Sequence, residues 1–137
     1  IDSEVANFYS SSLKDRKNIH LCGFVEMRAP SYYNIVDKCC FSLLPSCSEG
    51  SAGSMIESMN QGLIPILTKE VGIDVGGRGF EVQPDPVSIA RTLELLSDLP
   101  ISELARMSLE NKKIADSQLS SESFKKNFLN CITEALS

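Results

Sequence analysis

Residues 39–68 read CCFSLLPSCSEGSAGSMIESMNQGLIPILT. Two apolar runs in it, CCFSLLP and GLIPILT, are of strand length and do not alternate with polar residues. A sheet with one wet face shows alternation with a period of two. Its absence implies a sheet covered by helices on both faces, and therefore a parallel one. Pro45 closes the first run, and a helical stretch from Ala52 to Gln61 separates it from the second. The pattern is a βαβ unit and predicts a doubly wound, Rossmann-like α/β architecture.

Working outward, residues 4–14, EVANFYSSSLK, place Val5, Phe8, Tyr9 and Leu13 at helical spacing and predict an amphipathic helix. NIHLCGF (residues 18–24) reads as a short buried strand ending at Gly23. A helix follows over Ser31 to Lys38, with Tyr32, Ile35 and Val36 on one face. Past Thr68, Gly72, Gly76, Gly77 and Gly79 punctuate a loop before a last short strand at Phe80 to Gln83. Asp85 followed by Pro86 predicts a helix start, an N-cap with proline at the first helical position, and Ile89, Leu93 and Leu96 form that helix's buried stripe. Two terminal helices complete the chain over about residues 101–136. The first carries Leu104 and Met107; the second, from about Ser121, carries Phe124, Phe128, Ile132 and Leu136 on one side.

With 137 residues, 42% of them hydrophobic and 23% charged, the chain has the composition of one globular domain able to hold its fold without a disulfide or structural metal. A net charge of −5 with scattered basic residues argues against a nucleic-acid partner. No apolar run reaches the roughly 18 residues of a membrane span, and no signal peptide opens the chain, so the expected setting is cytoplasmic. Cys22, Cys39, Cys40, Cys47 and Cys131 are odd in number, lack CxxC spacing and read as reduced core residues. Zinc held by Cys39, Cys40, Cys47 and His20 would have poor tetrahedral geometry, because two of the cysteines are adjacent. His20, the single histidine, reads as structural.

Ligands of open parallel sheets bind outside the carboxyl ends of the strands. Leu44-Pro45-Ser46 is such an end, and the residues after it lead into a helix whose first N–H groups lack internal partners and favour anions. Gly50, Ala52 and Gly53 present no bulk, so a phosphate could approach the backbone there, with Ser51 and Ser54 adding hydroxyl donors. Glu49 and Glu57 lie eight residues apart, about 12 Å along a helix at about 1.5 Å per residue. That is too far for a retaining glycosidase pair, whose carboxyl groups stand about 5–5.5 Å apart. It suits two carboxylates accepting hydrogen bonds from hydroxyl groups at opposite ends of a ligand with phosphate in its middle. A plainer explanation is also open: Ser48-Glu49 as a helix cap, and Glu57 on a solvated face.

The stretch resembles the donor-site signature of retaining glycosyltransferases with two Rossmann-like domains, the GT-B type, especially the group-1/family-4 class. The matching positions are Pro45-Ser46, Glu49-Gly50, Glu57-Ser58-Met59 after seven intervening residues, and Gly62-Leu63-Ile64-Pro65-Ile66. IHLCGFVEM resembles the family's strand and turn facing the nucleotide base, and GFEVQPD its G-x-x-V-x-P-x-D passage. The resemblance implies that Glu49, the candidate catalytic residue, contacts the transferred sugar, that the backbone from Gly50 through Ser51, Ala52 and Gly53 to Ser54 holds the diphosphate and sugar, and that Glu57 binds the ribose hydroxyls. Phe24, Val25 and Glu26 would lie near the base.

The implied activity is transfer of a hexose, with retention, from a nucleotide diphosphate sugar to a saccharide or lipid-linked acceptor. No metal or cofactor is implied, and the donor's own phosphate would help accept the acceptor's proton. Many members have Glu-Gly-Phe-Gly followed by bulky aliphatic residues, where this chain has Glu49-Gly50-Ser51-Ala52-Gly53-Ser54, which implies a sugar pocket of different shape. The family's first strands and its basic diphosphate-binding residues are not found, and Ile1 is no natural start. The expectation is therefore a single partial domain, residues 1–137, the C-terminal donor half of a longer enzyme. That enzyme would carry an N-terminal acceptor domain and could associate peripherally with a membrane, and the isolated chain would be inactive. A sugar-nucleotide epimerase of the same plan and a noncatalytic nucleotide- or protein-binding α/β module are the alternatives. Dinucleotide redox chemistry is disfavoured, since GIDVGGRGF contains no GxGxxG between a strand and a helix.

Overall fold

A computed structural model of the chain describes residues 3–14, 16–50 and 52–136. Its contacts divide into two units, Ile1–Ile35 and Val36–Ser137. In the first, α1 spans Ser3–Lys14, as the helical spacing predicts, but Phe8 and Tyr9 stand exposed, their rings edge-on with centroids 4.9 Å apart. Residues 16–29 contain no helix or strand, and α2 runs over Pro30–Val36, closing at the boundary of the two units.

The strand expected at NIHLCGF does not form. Ile19, His20, Leu21, Cys22 and Phe24 lie exposed in irregular backbone, and Gly23 adopts φ 66°. An apolar run fixes a preference for burial, but a strand also needs a neighbouring edge to satisfy its N–H and C=O groups. The sheet contains β1, β2 and β3 among the described residues and does not include this segment.

The second unit is built on the βαβ stretch. Strand β1 (Phe41–Leu44), helix α3 (Gly53–Asn60) and strand β2 (Ile64–Leu67) follow one another, and a 3-10 turn at Lys69–Val71 and a glycine-containing loop lead to β3 (Phe80–Glu81). The sheet order is β1-β2-β3 and both pairings are parallel, with Phe41 to Leu44 opposite Ile64 to Leu67 and Ile66 and Leu67 opposite Phe80 and Glu81. Helices α4 (Pro86–Ser97), α5 (Ile101–Gln118) and α6 (Ser121–Ala135) complete the unit.

All four residues of β2 are buried, which is the arrangement the unbroken apolar run required. Consecutive residues of a strand face opposite sides. Leu67 packs with Met55 and Met59 of α3, Val71, Ile73 and Ala115 of α5. Ile66 packs with Val82 and with Leu96 of α4, and Phe41, Phe80 and Ile89 close over that group. The sheet is therefore covered on both faces.

Pro65 tolerates a central strand because of the direction its nitrogen takes. Alternate residues of a parallel strand bond to alternate neighbours, and the Ile64 N–H donates to the Cys40 carbonyl on the β1 side at 2.9 Å. Pro65 thus faces β3, which begins only opposite Ile66. The missing N–H costs no ladder bond.

Asp85 caps α4 as its pairing with Pro86 predicts: Oδ1 accepts from the N–H groups of Val87 and Ser88, each at 2.9 Å. The buried stripe is narrower than the spacing suggested, since Leu96 is buried and Ile89 half-buried while Leu93 is exposed. A small three-stranded sheet covers only part of a helix this long. Phe124, Phe128 and Ile132 do share a face of α6, with the two phenyl rings stacked at 6.0 Å, but that face is exposed. The five cysteines are exposed as well, none in a disulfide, contrary to their expected place in the core. Cys39 and Cys40 precede β1 and Cys47 follows it, and β1 itself is at most half-buried, with Leu43 exposed, so its flanks lie further out still.

Candidate functional site

The carboxyl ends of β1 and β2 lie side by side because Leu44 and Leu67 are register partners. Two loops leave the sheet there. Thr68, fully buried, donates its hydroxyl hydrogen to the Ser46 carbonyl, and the Glu49 N–H donates to the Glu70 carbonyl at 3.2 Å. The chain between β1 and α3 is thus tied by its backbone to the 3-10 turn after β2. Glu49 itself is exposed. The Ser46 hydroxyl lies 3.4 Å from Glu49 Oε1 and 3.3 Å from the Ser48 carbonyl, and with one hydrogen it donates to one of them at a time.

Helix α3 starts without a side-chain cap. Its N-cap is Ala52, which makes no capping hydrogen bond, and Gly53 and Ser54, which open the helix, are exposed. A Cβ added at Gly50 or Gly53 would meet nothing within 4 Å, so the approach to this helix end is open on both sides of Ala52. Ser51, a predicted phosphate contact, lies outside the described residues.

Glu57 follows one turn into α3 and is only 6% exposed. Charged side chains are seldom buried to this degree, and a carboxylate leaves water only at a cost. The two plainer explanations open from sequence do not hold. Ser48 and Glu49 do not cap α3, and Glu57 does not stand on a solvated face.

Ser46, Glu49, Ala52, Gly53, Ser54 and Glu57 therefore occupy one loop and helix at the carboxyl edge of the sheet. Phe24, Val25 and Glu26 belong to the other unit. There Phe24 is almost fully exposed, Val25 half-buried, and the Glu26 carbonyl accepts from the Ala29 N–H at 3.3 Å, closing a turn in which Arg28 takes φ 65°. Lys69 and Glu70 were not singled out from sequence, although the signal was present: they follow the second apolar run by one and two residues, which places them at the same sheet edge.

Two cavities of the second unit lie elsewhere. One of about 390 Å³ is lined by Ile56 and by residues of α5 and α6, among them Leu119, Phe124 and Phe128. The other, of about 540 Å³, sits at the amino ends of β1 and β2 against α5. Strand polarity is the better guide to a phosphate site than concavity, because anion binding at a helix start uses exposed N–H groups rather than an apolar hollow. Among the described residues no three His, Cys, Asp or Glu side chains gather as metal ligands, and no helix is long and apolar enough to cross a membrane. The sequence matches no family model and no curated protein.

Proposed function

We propose that the chain is a nucleotide-sugar donor-binding domain, the donor half of a retaining hexosyltransferase. The observation that carries this reading is the placement of Glu49 and Glu57 around an uncapped helix start at the carboxyl edge of a parallel sheet. Gly50 and Gly53 leave that start open to a bulky anion.

In this reading the N–H groups at the start of α3 hold the diphosphate, with the helix dipole favouring its charge. Glu49, exposed and held by its own backbone, accepts hydrogen bonds from the transferred sugar. Glu57 accepts from the ribose hydroxyls. Its low exposure supports a carboxylate placed for a defined partner rather than for solubility. The acceptor half and the basic groups that would complete the diphosphate site belong, by the resemblance, to other parts of the enzyme, so the isolated chain binds donor weakly and transfers nothing. A cytoplasmic enzyme, with peripheral membrane association where the acceptor is lipid-linked, fits this role.

A thermal-shift panel of UDP-, GDP- and ADP-sugars tests the proposal. A ligand at a hundredfold its dissociation constant stabilises the fold it binds by about 2.7 kcal/mol. Stabilisation by sugars of one base is the expected result and names the donor class. No response to any of them favours a noncatalytic module, and robust turnover by the isolated chain refutes the division of labour.

A further inference from the structure

Residues 46–49 are tied at both ends to one short segment after β2. Thr68, fully buried, donates its hydroxyl hydrogen to the Ser46 carbonyl, and the Glu49 N–H donates to the Glu70 carbonyl at 3.2 Å. Between these ties the Ser46 hydroxyl oxygen accepts from the Ser48 N–H at 3.4 Å, so its one hydrogen is directed elsewhere. Two acceptors stand within reach of that hydrogen, the Ser48 carbonyl at 3.3 Å and Glu49 Oε1 at 3.4 Å. A bond to an ionised acceptor is about twice as strong as one between neutral groups, and a hydroxyl that accepts a hydrogen bond donates a stronger one. The carboxylate is therefore the favoured acceptor. Both contacts are longer than the usual hydroxyl bond of about 2.5–3.0 Å, so Ser46 biases the carboxylate rather than locking it.

Glu49 has a use for such a bias. Its side chain is exposed, and an exposed glutamate samples several rotamers, whose loss weakens any ligand that selects one of them. The bond to Glu70 fixes its main chain and not the direction of its carboxylate. Ser46 is half-buried and braced by Thr68, which makes it the better-held member of the pair. A carboxylate offers about four lone-pair positions, so the one that faces Ser46 leaves others for a ligand.

We propose that Ser46 is a positioning residue: its hydroxyl orients the Glu49 carboxylate, and through it sets the preference for a nucleotide sugar over the bare nucleoside diphosphate. The inference rests on the reading of Glu49 as the sugar contact.

The test is magnetic resonance on the full chain, unaltered and as Ser46→Ala and Ser46→Thr, with the backbone amide spectrum showing that each is folded. Three-bond couplings should report a preferred Glu49 rotamer in the unaltered chain, averaging in Ser46→Ala, and recovery in Ser46→Thr. Titrations then use the nucleotide sugar that gives the largest thermal shift and the matching nucleoside diphosphate. Ser46→Ala should weaken nucleotide-sugar binding by about two- to tenfold, the range a single hydrogen bond supplies. Binding of the nucleoside diphosphate should not change, and Ser46→Thr should restore the sugar preference. In a Glu49→Ala background the further change Ser46→Ala should alter neither affinity, because the group it acts through is gone. Equal weakening of both ligands, a loss that persists without Glu49, or couplings unchanged in Ser46→Ala overturns the proposal. Failure of the unaltered chain to bind any nucleotide sugar, with couplings that still respond to Ser46→Ala, overturns the donor reading and upholds the orienting of Glu49 by Ser46.

Discussion

The Glu49 N–H donates to the Glu70 carbonyl at 3.2 Å, across the gap between the loops that leave β1 and β2. Parallel pairing places those loops side by side, and the Thr68 hydroxyl bonded to the Ser46 carbonyl is the second tie between them. Glu49 is therefore positioned through its main chain while its carboxylate stays in solvent. A side chain that meets a ligand benefits from this arrangement, since the backbone holds it and its carboxylate, approached by the Ser46 hydroxyl at 3.4 Å from Oε1, keeps further lone pairs for a partner.

Thr68→Val removes the hydroxyl while keeping the branched shape. Thr68 is fully buried, and a net hydrogen bond contributes about 0.5–1.5 kcal/mol, so the unfolding free energy should fall by that amount, seen as a lower urea midpoint with an unchanged slope. Thr68→Ser should recover most of the loss. Equal stability of the valine variant and the unaltered chain would show that the loops do not depend on this tie.

Glu57→Gln keeps the size of a buried side chain and removes its charge. Hydrogen bonds to charged groups contribute about 1.5–3 kcal/mol, and every 1.4 kcal/mol or so is a factor of ten in affinity. Calorimetry with the nucleotide sugar that gives the largest thermal shift should therefore show donor binding weakened at least about tenfold. Unchanged affinity in a folded variant sinks the ribose assignment.

The extent to which the fold was legible follows from what each signal encodes. Unbroken apolar runs report burial on two faces: β2, paired on both sides, is buried at every residue as its run requires, whereas β1, at the end of the described sheet, leaves Leu43 exposed. Asp85-Pro86 reports a local geometry, and the cap forms. NIHLCGF failed because pairing is a property of the neighbour, and an apolar run carries no information about whether an edge is available. The stripe of α4 was correct as a face and too wide as an interface, since Leu93 is exposed where Leu96 is buried, while the apolar side of α6 forms as expected and is exposed among the described residues. At the site, the spacing of Glu49 and Glu57 was visible, whereas the burial of Glu57 and the tie to Glu70 depend on tertiary neighbours.

Arg106 on α5 donates to Glu103 at 2.6 Å and to Glu110 at 2.7 Å. Its hydrogen bond holds the Glu103 carboxyl below the ordinary value of 4.5, and both partners are open to solvent. A carboxyl depressed on folding contributes stability above its unfolded value and loses that contribution as pH falls through the folded value. The melting difference between the unaltered chain and Arg106→Ala should therefore be small, constant near neutrality, and should shrink below about pH 4.5, where the unfolded carboxyl begins to bind protons. Added salt at neutral pH should shrink it as well. A difference that grows on acidification would contradict the assignment.

Asp85→Ala removes the side chain that accepts from both Val87 and Ser88. Loss of an N-cap costs about 0.5–2 kcal/mol, and α4 covers the Ile66 face of the sheet, so the loss should appear in global chemical denaturation rather than as local fraying. Asp85→Asn, which keeps an acceptor, should cost less. Equal losses in the two variants would mean that the cap acts through charge instead of through the hydrogen bonds.

Glycines at Gly79 and Gly53 answer different demands, and alanine separates them. A Cβ at Gly79 would stand 2.6 Å from the Pro65 carbonyl oxygen and 2.7 Å from Pro65 Cγ, where backbone and ring cannot yield cheaply. Gly79→Ala should thus destabilise the fold by about 1–3 kcal/mol, the usual cost of overpacking, whether or not a ligand binds. A Cβ at Gly53 meets nothing within 4 Å, and alanine is the better helix former, so Gly53→Ala should fold with unchanged or slightly raised stability. If the diphosphate lies against the start of α3, the added methyl obstructs it, and nucleotide-sugar affinity should fall in this well-folded variant. Thermal melts and calorimetry on the pair separate the two effects: unchanged donor affinity in Gly53→Ala would remove the diphosphate from that helix end, because the variant keeps every interaction of the fold and alters only the space outside it.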